Sequence, residues 1–401
     1  MSSTEKPTKE EFAQMMLAVI RKHEATPLRY DPEQFHLTEE GDTKYFLNLS
    51  NAYREYCDAS SPSDAERTVE RYCSAWRARR ASEPSTATDI LPTLRPVIRL
   101  RSYYELTRLK LQPQVGKLPP PFPYSVLGEH YALGLMLLQG NSLGVVAQHH
   151  LDEWKLDFET ALVAATNNLR EHTKEPLKQL APGVWYGFWN DDFGPSRLLF
   201  PDLLECEVRG DPVVLLAERR VLVITGAEDE NGLLAAAHVA ENLAEDGRPV
   251  GALPLRLHQG GWRPFLPPPN SPSGKKIRLR WMRSQQSTYQ EQAGYWAALG
   301  EGPGTADYHV YEGRDDVPPF SFCIWQQGAD VLLPRTERVL FAVADEKGGE
   351  PMVRAEVRWE KALELAGELM ERQQDLFPER WRVRAFPDAT RLAALRSASG
   401  K

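Results

Sequence analysis

The sequence predicts an α+β protein built from antiparallel sheets with helices packed on one face. Three observations carry that expectation. The 401 residues are 42% hydrophobic and 26% charged, which fits a globular chain long enough to bury its own cores. Apolar residues recur at helical spacing in some segments and as short strand-like runs in others. The order helix, antiparallel strands, helix comes twice along the chain, as expected when helices cover one face of a sheet.

The elements follow in order. Thr8 with Glu11 reads as a capping box, and Phe12, Met15, Met16, Val19 and Ile20 then fall at helical spacing. Strands are expected at Phe35–Thr38 and Tyr45–Leu49, joined by a turn at Glu39–Asp42. Ser63 with Glu66 suggests a second capping box, opening a helix with Val69, Tyr72, Cys73 and Trp76 on its apolar face. Strands His130–Leu138 and Gly144–Ala147 flank a turn, and a helix follows whose stripe is Phe158, Leu162, Ala165 and Leu169. Strands Val184–Trp189 and Arg197–Leu199 come next.

The recurring unit is a buried hairpin feeding an amphipathic helix. One copy is Gly210–Ile224 with a helix near Leu233–Ala244. The other is Gly328–Val343 with a helix near Val353–Gln373. Proline marks the larger divisions, because it lacks an N–H and fixes φ. Two clusters, at 118–123 and 266–272, lead to a domain over residues 1–265 with two sub-lobes meeting near 118–123. A Pro-rich linker over 266–274 and a smaller α+β module over 275–401 follow.

Lys and Arg number 48 against 56 Asp and Glu, a formal charge of −8. No apolar run is long enough to span a bilayer, the first residues are polar, and the four cysteines form no CxxC pair. The expectation is a cytoplasmic protein with free thiols, no cofactor and no membrane partner.

Leu91–Arg99 contains Pro96-Val97-Ile98-Arg99. Downstream lie Tyr131-Ala132-Leu133-Gly134-Leu135, Leu151–Trp154, Asn168-Leu169-Arg170, Ser196–Leu199 and the strand pair Val213–Ile224. These blocks, in this order, resemble the YtpQ-like family of uncharacterised bacterial proteins over about residues 10–265. The chain departs from the pattern at Gly134, where the family carries an acid. It also has Ala217 and Arg220 where a proline and an aspartate are expected. The resemblance implies a bacterial cytoplasmic α+β protein and no particular activity.

No phosphate-binding glycine loop, zinc-protease motif, nucleophile elbow or EF-hand loop is present. His149, His150, Asp152 and Glu153 are metal-ligand types, but adjacent histidines on a strand point to opposite faces. Asp191 and Asp192 could serve acid/base or Mg²⁺ chemistry, and Asn190–Pro195 also reads as a turn. Trp185 and Trp189 share one face of an aromatic strand, which is either core or the wall of a ligand groove.

Basic residues are the strongest functional signal. Residues 71–117 hold ten Lys and Arg, including Arg77, Arg79 and Arg80, against three acids; residues 271–290 hold five and no acid. Read as strands, Lys276, Arg278 and Arg280 share a face, as do Arg99 and Arg101, and Arg382 and Arg384. Such rows suit an acidic partner or phosphates, although the net acidic charge disfavours nucleic acid. The expectation is a non-catalytic binding or adaptor protein that holds an acidic protein partner on Arg-rich sheet faces. The alternative is an enzyme or binder acting on a phosphorylated or nucleic-acid substrate. The candidate binding residues are Arg99, Arg101, Lys276, Arg278, Arg280, Arg382, Arg384, Trp185 and Trp189. No catalytic or metal-ligating residue is assigned.

Overall fold

A computed structural model describes residues 6–22, 27–33, 35–39, 42–59, 61–81, 86–139, 142–246, 249–300, 303–314, 317–344, 351–374 and 376–398. Within these, the side chains of 42–46, 51, 75, 77–81, 114–115, 139, 142 and 245–246 are not described. Arg77, Arg79 and Arg80 therefore lie outside the described side chains, and so do the turn residues Glu40 and Gly41.

The chain opens with α1 (Lys9–Arg21), β1 (Leu28–Asp31), β2 (His36–Glu39), β3 (Asp42–Asn48), α2 (Ser50–Cys57), α3 (Pro62–Ala81), α4 (Ala87–Ile90), β4 (Leu94–Leu100) and α5 (Arg101–Val115). Then come β5 (Ser125–Leu127), β6 (Tyr131–Gln139), β7 (Ser142–Val145), α6 (Gln148–Trp154), α7 (Phe158–Glu171), β8 (Lys178–Ala181), β9 (Val184–Phe188), β10 (Pro212–Glu218), β11 (Val221–Gly226) and α8 (Glu230–Asp246). The remainder is β12 (Leu255–His258), β13 (Gly261–Pro264), α9 (Pro272–Leu299), β14 (Gly304–Thr305), β15 (His309–Tyr311), β16 (Phe320–Gln326), β17 (Val331–Pro334), β18 (Arg338–Val343), β19 (Met352–Arg358), α10 (Trp359–Ala366), β20 (Met370–Arg372), β21 (Arg380–Val383) and α11 (Ala389–Ala398). The protein is α+β, with several mainly antiparallel sheets. No helix among the described residues is long and apolar enough to cross a membrane.

Two compact units emerge. The first comprises residues 1–95, 114–116 and 135–168, and the second 96–113, 117–134 and 169–401. Segment 266–274, expected to link two domains, lies inside the second unit.

In the first unit, α1 is capped as the Thr8–Glu11 spacing implies: the Glu11 N–H donates to Thr8 Oγ1, and Glu11 accepts from the Thr8 N–H at 2.7 Å. Those bonds hold the Glu11 carboxyl below its ordinary range. α1 buries Phe12, Met16 and Ile20 against Leu37 of β2 and against Val69, Cys73 and Trp76 of α3. The cap of α3 lies two residues before the expected Ser63: the Asp64 N–H donates to Ser61 Oγ at 3.2 Å. A second cluster joins Ile90, Leu94, Leu135 and Val146 to Leu151, Ala161 and Ala165 of α6 and α7.

The second unit centres on a six-stranded antiparallel sheet, order β13-β12-β10-β11-β9-β8. Val213, Leu215 and Ala217 alternate along β10 and pack with Val221 and Val223 against Leu233, Ala236 and Ala240 of α8. Their neighbours Val214 and Leu216 are buried as well, so this strand reads as a continuous apolar run rather than an alternating one.

The second copy of the expected hairpin does not form. β17 pairs with β21 and β14, whereas β18 pairs parallel with β16 and antiparallel with β19. The two runs thus enter different sheets, ordered β14-β17-β21-β20 and β15-β16-β18-β19. The helix expected near Val353–Gln373 divides into β19, α10, a short 3₁₀ turn and β20. Segment Arg197–Leu199 is likewise a 3₁₀ turn and not a strand.

The largest correction is α9, a 28-residue helix across the stretch read as a basic strand. Its stop and start signals are strong. Ser271 Oγ accepts from the Gly274 N–H at 3.0 Å, Pro272 occupies the first turn, and Gly300 ends it with φ +67°. Ile277, Met282, Gln285, Thr288, Tyr289 and Gln292 form its buried face.

Candidate functional site

The expected rows of free guanidinium groups do not form. On a helix, Lys276 and Arg278 stand about 200° apart, since successive residues turn about 100°. Lys276 accordingly pairs with Glu241 of α8 and Arg278 with Glu337. Arg280 is half-buried, and desolvation lowers its pKa. Arg99 ends up inside the protein at the end of β4, whereas Arg101 starts α5 and lies 4.1 Å from the Phe377 ring. Arg382 is bidentate to Asp330 at 2.9 Å, and Arg384 pairs with Glu371 at 2.9 Å. Four of the seven cations are therefore already met by a carboxylate of their own chain, and the seven share no face.

The two tryptophans separate as well. Trp185 is half-buried, and its Nε1–H donates to the Glu207 carbonyl at 3.2 Å. β9 ends at Phe188, so Trp189 leaves the strand and turns its ring beneath the Arg197 guanidinium, 4.4 Å away. Asp191 and Asp192 sit in the loop that follows. Arg197, fully buried, donates to both oxygens of Asp191 at 3.0 and 2.8 Å and to Thr173 Oγ1 at 3.0 Å. The Phe193 N–H donates to Asp191 Oδ1 at 3.0 Å, which makes the loop an Asx turn. Asp191 is thus committed to holding the loop. The chain here crosses the β10–β11 turn so closely that a Cβ at Gly194 would lie 2.5 Å from the Arg220 carbonyl carbon.

His149 and His150 lie in the first turn of α6 rather than on a strand. The Ala147 N–H donates to His150 Nδ1 at 3.0 Å, so this ring caps the helix. Among the described residues, no group of three or more His, Cys, Asp or Glu is placed to hold a metal ion.

A surface cavity of about 380 Å³ opens in the second unit. That volume is at the lower end for small-ligand or peptide-anchor sites. Pro272, Lys275, Lys276 and Leu279 line it from one face of α9, at the i, i+3, i+4, i+7 spacing. Leu234 of α8 also lines it, as do Glu312, Gly313, Arg314, Val317 and Pro319 of the connection between β15 and β16. Leu234, Leu279, Val317 and the prolines make the surface apolar. Its two acid-base pairs, Lys276 with Glu241 and Arg283 with Glu312, are internally balanced. Arg314 is exposed, and its side chain has no hydrogen bond or ion pair to a described residue. Of the candidate binding residues expected from sequence, Lys276 alone lines this cavity, beside Lys275 of the same basic run and Pro272 of the second proline cluster. The helix signals around Ser271 and Gly300 were sufficient to bring Lys275 and Leu279 to its side; Arg314 had no sequence signal.

Comparison of the chain with family models, with curated proteins and with solved structures returns no match.

Proposed function

We propose that the protein is a non-catalytic binding protein whose groove along the first turns of α9 seats a short acidic, partly apolar segment of a protein partner. The observation that carries this reading is the cavity itself: largely apolar walls with Lys275 and Arg314 at the rim, beside Lys276 and Glu312 in their own ion pairs, on a chain of net charge −8. Apolar anchors supply affinity in such a groove, and peripheral cations select the sign of the partner. The reading moves the acidic partner from the arginine rows to this groove. A cytoplasmic, bacterial, YtpQ-like identity remains part of the proposal, supported by the ordered residue blocks between about 10 and 265.

A fluorescent decapeptide of Asp, Glu and Leu, titrated against the full chain, tests it. Binding should weaken as salt rises, and Arg314→Glu combined with Lys275→Glu should weaken it about tenfold. Equal binding of a Lys and Leu peptide with the same apolar content would overturn the reading.

A further inference from the structure

Arg99, Arg219 and Tyr104 carry an inference independent of the groove. β4 delivers Arg99 into the interior at 2% exposure, and Tyr104, in the first turn of α5, is 1% exposed. Arg99 Nη1 donates to the Ile98 carbonyl at 2.8 Å, whereas Nη2 reaches the Asp192 carbonyl only at 3.5 Å. The Nε–H of Arg99, the Nε–H of Arg219 and the Tyr104 hydroxyl are all buried without a hydrogen-bond partner among the described residues.

These three groups belong to one neighbourhood. Arg219 lies in the turn between β10 and β11, and its carbonyl accepts from the Gly194 N–H at 2.8 Å. That bond holds the turn against the same loop whose Asp192 carbonyl Arg99 reaches. The positive charge of Arg219 acts on Arg99, and Arg99 acts on the Tyr104 phenol. At Gly134, acidic in the block the sequence resembles, an ideal Cβ would lie 2.3 Å from the Tyr104 hydroxyl oxygen. The phenol thus occupies the space a side chain there would need.

Two neighbouring guanidinium groups in a region of low dielectric repel one another, and a buried donor left unmet costs free energy. Arg197, across the same loop, shows the satisfied case, with a bidentate carboxylate and a hydroxyl. Arg99 and Arg219 lack that carboxylate contact among the described residues. Among the described residues, Asp192 and Arg219 act on Arg99 with opposite sign. Guanidinium and phenol N–H and O–H groups together match the lone pairs of an oxyanion. We infer that Arg99, Arg219 and Tyr104 bind one small oxyanion, a phosphate or a carboxylate, admitted past the half-buried Arg219.

Thermal unfolding of the full chain at constant ionic strength tests the inference, with chloride replaced stepwise by phosphate or by acetate. A saturable rise in Tm of about 2–4 °C is expected at roughly ten times Kd. A rise with phosphate alone assigns a phosphate site, and one with acetate alone a carboxylate site. Arg219→Gln, at a half-buried turn position, should abolish the rise while leaving peptide binding in the groove unchanged. Tyr104→Phe should raise the apparent Kd at least threefold. No saturable rise with either oxyanion, or a rise that survives either substitution intact, would overturn the inference.

Discussion

Arg380 and Arg382 stand two residues apart on one side of β21, yet the fold satisfies them by opposite means. Arg380 is 1% exposed and has no carboxylate in hydrogen-bond contact among the described residues. Its fork donates instead to Gln292 Oε1 at 2.8 Å and to the carbonyls of Tyr289, Leu332 and Ala306 at 3.0, 3.1 and 3.2 Å, and its cation lies 4.9 Å from the Tyr289 ring. Burial pushes its pKa down to about 10, which leaves it charged at neutral pH. Arg382 meets the Asp330 carboxylate in water. A guanidinium can therefore be buried without a directly bonded carboxylate when neutral acceptors match its planar geometry, with Asp307 acting on it only through space. An alternating pattern of arginines does not reveal which of them is built that way.

The comparison can be broken at either end. Arg380→Met should have the largest effect, a loss of about 3 kcal/mol in denaturant unfolding, because several buried acceptors lose their donor at once. A loss below about 1 kcal/mol would mean that the carbonyls find other partners. Arg382→Gln should shift Tm by no more than about 2 °C, as exposed ion pairs contribute little. The smallest effect is the pH dependence of that second difference. The hydrogen bond from Arg382 holds the Asp330 carboxyl below its ordinary value. A carboxyl lowered in the folded state stabilises the fold above its unfolded pKa of about 3.9, and this contribution is lost as pH falls through the lower folded value. The Tm difference between parent and Arg382→Gln should thus be full at neutral pH and close below about pH 4. A difference that grows in acid would refute the assignment.

Local signals match the structure where neighbours in sequence are neighbours in space. The Thr8–Glu11 cap, the stripe on α7 and the β10–β11 hairpin with α8 all depend on contacts within a few residues or one turn. Val331–Val343 failed because its apolar run resembles Val213–Ile224 while its hydrogen-bond partners lie elsewhere, in β14, β21, β16 and β19. Periodicity cannot report which distant strand completes a sheet. In the stretch after Lys275, alternating Arg and apolar residues suggest a strand, but Ser271, Pro272 and Gly300 supply the cap and stop signals of a helix, and the helix forms. Of the candidate site, Lys276 was visible as a cation. The counter-charges at Glu241, Glu337, Asp330 and Glu371 were not, because each is brought in by another element.

α9 is joined to its surroundings on more than one side. Ser273 and Lys276 bind Glu230 and Glu241 of α8, Arg278 binds Glu337, and the Tyr289 hydroxyl donates to the Glu379 carbonyl. During synthesis, α8 and the sheet beneath it would leave the ribosome well before the helix that covers them is complete. Until α9 is complete, Glu230 and Glu241 on α8 lack the Ser273 and Lys276 partners that meet them in the folded chain.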